Sequence, residues 1–101
     1  MADAYVMRES SRADKKWMVE LPNNHVVHFG AAGYEDFTQH RDEERRARYV
    51  RRHRERENWG KSGAGTAGFW SRWILWGPFT SISRNIAYVR ERFGMRVILR
   101  K

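Results

Sequence analysis

Four histidines, His25, His28, His40 and His53, are the side chains best suited to holding a metal ion with a carboxylate beside them. Their spacings match no common zinc pattern, and a chain without cysteine has no thiolate site. Packing or solvent-facing roles are the simpler reading, so neither a metal nor a cofactor is expected. Glu35 and Asp36 could divide acid and base work, but neighbours in a strand point to opposite faces. Ser62, Ser71 and Ser81 sit in no nucleophile-elbow frame. Lys61-Ser62 has Gly60 before it and Gly63 and Gly65 after it, yet the GxxxxGK[ST] order that cradles phosphates is missing. A thin core is also a poor place for a water-excluded pocket. The sequence points away from an enzyme.

Chemistry of association is better represented. Between Asn58 and Gly77 lie four of the five tryptophans, Trp59, Trp70, Trp73 and Trp76, and five of the eight glycines. Phe69 and Arg72 lie among them. Tryptophan and arginine are the commonest energetic anchors of interfaces, but aromatic residues at helical spacing more often form a core. A mixed outcome is expected: part of this segment buried by its own chain, part docked into a partner. A second candidate surface is Arg41–Glu57, with eight arginines against five acids. Within it Arg48, Arg51 and Arg52 have few acids beside them. A charge run is usually a solvated face; the alternative is that these three arginines contact a partner.

The chain has 101 residues, a size that suggests one small domain. Charged residues make up 32% of it, and at this length only about 65% of the unfolded surface is buried, so the core is thin. An aromatic share of 14% offsets this in part, since each ring buries about 150–250 Å². A net charge of +8 attracts nucleic acid, an anionic membrane face or an acidic protein. Arginine bias favours ordered contacts, because guanidinium pairs bidentately and stacks on rings. The lack of cysteine fits a reducing compartment. No signal peptide is visible. The longest apolar-rich run, Phe69–Trp76, falls far short of the roughly 20 residues a spanning helix needs.

These residues must be positioned by an α+β fold. Residues 1–16 read as a polar arm, ordered only if something holds it. Residues 17–29 read as a β-hairpin: Trp17, Val19 and Leu21 alternate, His25–Phe29 is strand-like, and Pro22-Asn23-Asn24 supplies the turn. Thr38 or a neighbour could cap the helix that follows. That basic helix spans 41–57, with Asp42/Arg46 and Glu44/Arg48 as four-apart pairs. Residues 58–65 form a Gly-rich loop. The aromatic helix takes 66–76, capped by Thr66. Gly77-Pro78 breaks it, Thr80 or Ser81 caps a helix over 81–93, and Ile82, Ile86, Val89 and Phe93 give that helix an apolar stripe. Gly94 ends it. Met95–Leu99 is a last strand, and residues 100–101 are a basic tail.

One stretch carries a resemblance. His28-Phe29-Gly30, Tyr34, Asp36-Phe37-Thr38, His40, Asp42, Arg45, Tyr49, Arg52-His53, Glu57-Asn58-Trp59, Ser62-Gly63 and Thr66–Ser71 with Trp73, Leu75 and Trp76 resemble a small family of uncharacterised basic proteins. That family belongs to nucleocytoplasmic large DNA viruses, iridoviruses and relatives among them. The resemblance implies no enzymatic activity. It implies a viral origin, and with the ring-rich segment and the exposed arginines the expectation is a minor structural protein of an icosahedral virion, sited on the inner face of the capsid shell, with the host cytoplasm its place during assembly. Its partners would be the major capsid protein and other minor capsid proteins. Trp59, Phe69, Trp70, Arg72, Trp73 and Trp76 would be the anchor, with Arg48, Arg51 and Arg52 on the second contact. A sequence-independent nucleic-acid-binding protein is the alternative, and the basic, indole-rich surface also permits contact with an inner membrane.

Overall fold

A computed structural model describes residues 3–100. Met1 and Ala2 of the expected arm, and Lys101 of the expected tail, lie outside the described residues. Strands β1 (Ala4–Glu9), β2 (Lys15–Glu20) and β3 (Val26–Ala31) come first, and β4 (Arg96–Leu99) comes last. Between them lie helices α1 (Phe37–His40), α2 (Glu43–His53), α3 (Ala67–Trp70) and α4 (Ile82–Phe93). The class is α+β. The four strands form one mixed sheet in the order β3-β2-β1-β4. Neighbours β1/β2 and β2/β3 run antiparallel, and β1/β4 runs parallel.

The hairpin expected over 17–29 is β2–β3, with Trp17 opposite Phe29 and Val19 opposite Val27. Asn24 takes the left-handed conformation in its turn, at φ 73°, which asparagine tolerates better than most residues. The arm is corrected. Ala4–Glu9 is a central strand, held by β2 on one side and β4 on the other, with Met7 fully buried. Its alternation is short and interrupted by charge, so the segment reads as polar alone; two flanking strands satisfy its backbone on both sides.

One face of the sheet carries Met7, Val19, Phe29 and Val97 into a core shared with Phe69, Trp70, Trp73, Ile74, Leu75, Ile86 and Val89. Register places Val6, Met18 and Ile98 on the opposite face, with Arg8, Glu20 and His28 among them. Arg8 approaches Glu20 at 3.7 Å, and Ser10 Oγ lies 2.7 Å from His28 Nδ1.

The aromatic segment is helical from its Thr66 cap, whose hydroxyl accepts from Phe69 N–H. It does not stay an α-helix. Ser71–Leu75 forms one π-turn, closed by Trp76 N–H donating to Ser71 O at 3.0 Å. Trp73, Ile74 and Leu75, three consecutive residues of this turn, all lie in the core. The loop after it is tied by Asn85, fully buried, whose amide donates to Ile74 O and Phe79 O and accepts from Phe79 N–H. Gly77 is required here, because a Cβ would run into Trp73 O and Asn85. Ser81, not Thr80, caps α4.

The Cα radius of gyration is 12.8 Å, that of an ordinary globule of this length, about 13 Å. Among the described residues only Val26 and Tyr34 are large hydrophobic side chains left exposed, at 46% and 75%. Every other Phe, Trp and Tyr is at least partly covered by the chain itself.

Candidate functional site

Helix α2 differs from every other element in how it is held. Asp42 caps it, its carboxylate accepting from Glu44 N–H at 3.0 Å and Arg45 N–H at 3.2 Å. Glu43 and Glu44 lie in its first turn and Arg51, Arg52 and His53 in its last, so charge complements the dipole at both ends. Thr38 caps nothing: Asp36 caps α1, in a reciprocal pair with Gln39. The basic helix is also shorter than 41–57. Arg41 adopts a left-handed conformation at φ 58° and separates α1 from α2, and the helix ends at His53. Because Asp42 is spent on capping, Arg46 lies nearest Glu43, at 3.8 Å, and no Glu44–Arg48 ion pair is found.

No residue of α2 is buried. It is joined to the globule by a column of rings. His53 stacks on Tyr49 at 4.2 Å, Tyr49 lies flat on Trp76 at 4.5 Å with 2° between planes, and His40 tilts against Trp76 at 5.3 Å. Arg46 adds an Nε–H bond to Gly77 O at 2.8 Å. Burial pushes the Tyr49 phenol well above its ordinary value, with the charge of Glu57 adding to the effect.

On the solvent side, Arg48, Arg51, Arg52 and Arg54 are exposed, and no carboxylate pairs with any of them among the described residues. Arg45 reaches Glu35 at 3.8 Å. Arg45, Arg48 and Arg52 share one stripe of α2 and, with Tyr34, His53 and Trp76, line a cleft of about 240 Å³. A second cavity of about 330 Å³ shares Tyr34, Tyr49, His53 and Trp76 and continues past Glu57 and Ser71 to Lys16. His53 donates from Nδ1 to Tyr49 O at 2.9 Å, so its Nε2 is the ring nitrogen left for another partner. Gly68 keeps the floor open, since a Cβ there would come within 2.8 Å of the Glu57 carboxylate.

The expected anchor is corrected in the same frame. Phe69 and Trp70 are fully buried and Trp73 nearly so. Trp70 donates its indole N–H to Ala64 O at 2.7 Å, and Trp73 donates to Trp59 O at 2.9 Å. Trp59 and Trp76 are half-buried. The Trp59 indole N–H is taken by Glu57, and one Trp76 face is taken by Tyr49. Arg72 is sandwiched by Trp59 at 5.2 Å and Trp73 at 4.3 Å, and burial first, then Arg46, draws its guanidinium down to about 10. It stays charged at neutral pH, where the two indole faces hold it. Phe69, Trp70 and Trp73 are internal because the sheet supplies a wide apolar face that a linear reading cannot weigh, while Trp59, Arg72 and Trp76 stay partly exposed at its edge. Arg48, Arg51 and Arg52 stand where the sequence puts them, on an exposed face.

Residues singled out for catalysis or metal binding have structural work. Asp36 caps α1 and pairs with Lys16 at 2.7 Å. His40 Nδ1 accepts from Asp42 N–H at 2.9 Å. Lys61–Gly63 is a short 3-10 turn, and Ser62 Oγ accepts from the Asn58 amide. Sequence reading passed over Tyr34 as a site residue. Its signal is an aromatic between Gly33, at φ 90°, and an acidic pair, which is the grammar of an exposed turn.

Comparison with known proteins reaches part of this architecture. Residues 5–53 match the model of a "Family of unknown function (DUF5754)", just under half of the chain. The match runs from β1 to the end of α2, so it takes in the hairpin, Tyr34 and the arginine helix. It stops before the aromatic segment and β4. No curated protein and no solved structure matches the chain.

Proposed function

We propose that this chain is a non-enzymatic, sequence-independent nucleic-acid-binding protein whose contact surface is α2. One observation carries the reading: a helix with no buried residue presents Arg48, Arg51 and Arg52, with Arg54 just past its end, without carboxylate partners among the described residues. A helix needs no such row for stability, since exposed like charges one turn apart repel by a few tenths of a kcal/mol. A polyanion removes that repulsion and gains from counterion release. No base-reading module is evident, so contacts to phosphate position the partner without selecting its sequence.

The test is binding of the full chain to a duplex oligonucleotide across a salt series. Affinity is expected to fall steeply with salt, and Arg48→Ala with Arg52→Ala to flatten the log–log slope by about two. Undetectable or salt-insensitive binding at low ionic strength sinks the reading.

A second reading has its own support in the resemblance to proteins of large DNA viruses: a minor structural protein of the capsid shell. There α2 would meet an acidic patch of a major or minor capsid protein. Burial of Phe69, Trp70 and Trp73 takes away three of its expected anchors and leaves the arginines to serve. Its test is the presence of the protein in the shell of purified, nuclease-treated virions; absence ends it.

A further inference from the structure

The cleft beside α2 has a feature that binding to duplex phosphate does not use. Tyr34 is an aromatic side chain with 75% of its surface in water. It lines both cavities together with Tyr49 and Trp76 of the ring column. The turn that raises it needs Gly33 at φ 90°, and nothing would crowd a Cβ there, so the turn's shape and not tight packing holds the ring outward. Arg45, Arg48 and Arg52 form the rim on the α2 side, successive members about one helical turn apart. Aromatic face, arginine rim and a polar wall carrying His53 and Glu35 occur together in one cleft.

On the reading of the chain as a nucleic-acid-binding protein, we propose that this cleft takes an unstacked base of a single strand. The base stacks on Tyr34 and the flanking phosphates pair with Arg48 and Arg52. A duplex keeps its bases inside and offers Tyr34 nothing to stack on. A single strand offers a π-face at every base, which makes the contact tolerant of sequence. An acidic peptide would satisfy the arginines but leave the exposed ring unused. His53, whose Nδ1 is taken by Tyr49 O, offers its Nε2 for a hydrogen bond with the base or the sugar.

The experiment measures affinity of the full chain for a DNA 12-mer, the RNA 12-mer of the same sequence, the matching DNA duplex and polyglutamate, at one low salt concentration. Wild type is expected to prefer the single strands over the duplex by about tenfold, the effect of one stacked base. Tyr34→Ala is expected to erase that preference while leaving duplex affinity unchanged, and Tyr34→Trp to keep it. Tyr34 is exposed, so neither variant should disturb folding. Preference for RNA over DNA places a ribose hydroxyl at the cleft; equal affinity leaves the base as the recognised group, and both agree with the proposal. Equal binding of single strand and duplex, an unaltered single-strand affinity in Tyr34→Ala, or polyglutamate held as tightly as the strands overturns it. If Arg48→Ala with Arg52→Ala weakens every nucleic acid while Tyr34→Ala weakens none, the cleft proposal falls and the broader reading stands. If wild type binds no nucleic acid, both fall.

Discussion

Two parts of this molecule are built on opposite principles. The sheet and the aromatic segment are held by burial: Trp70 and Phe29 are fully enclosed, and each indole N–H in the core has a carbonyl to donate to. Helix α2 is held by contact without enclosure: a column of rings ending on Trp76, and one guanidinium on Gly77 O. The first arrangement gives stability and hides the residues that make it. The second leaves a basic helix attached yet open to water on most of its girdle. The surface proposed here for association belongs to the part that folding does not consume.

The largest test falls on the enclosed part. Trp70→Ala is expected to lose about 3–5 kcal/mol by chemical denaturation and to unfold sheet and helices together. Survival of the sheet without Trp70 would mean that the core is not one unit. Trp76→Ala removes the platform under Tyr49 and costs less, about 1–2 kcal/mol, since the ring is only half-buried and the stack itself adds about 0.5–1.5 kcal/mol. Amide exchange should then rise along residues 43–53 and hold steady in β1–β3. Uniform acceleration across both regions would show that α2 is part of the core after all.

Alkaline pH separates the two regions more finely. Tyr49 is kept neutral in the fold above its ordinary 10.0, while the unfolded chain ionises there. Its contribution is therefore whole below pH 10 and is lost as pH climbs through and beyond that value. Arg72, drawn down to about 10 from 12.5, has the opposite sign: the folded state releases its proton first, so stability gains through that interval. Tyr49→Phe removes the first effect and keeps the second. Its stability is expected to decline less than wild type between about pH 9 and about pH 11, measured by urea unfolding. Parallel curves would deny that the phenol is desolvated in the stack. The smallest effect on folding is expected for Arg48→Ala with Arg52→Ala, within about 0.5 kcal/mol of wild type. A large loss of stability would mean that these arginines hold α2 in place and are not free for a partner.

Legibility in the sequence followed the range of the interactions. Thr66, Ser81, Gly94 and the β2–β3 turn were readable because a cap or a turn is settled by residues a few positions apart. Arg48, Arg51 and Arg52 were readable as exposed because a helix so rich in charge has no face to bury. The fate of Phe69, Trp70 and Trp73 was not readable, since it depends on a surface contributed by four strands from both ends of the chain. Nor was β1, whose ladder partners are β2 and the distant β4.

What this sequence determined by itself was its α+β class, the bounds of α4, the start of the aromatic helix and a surplus of arginine that no local acid neutralises. Tertiary structure alone decided which aromatic residues face water. It enclosed the tryptophans that looked most available and left out Tyr34, which looked ordinary. The reason is physical: charge is a property of each side chain, but burial belongs to the surface that arrives to cover it.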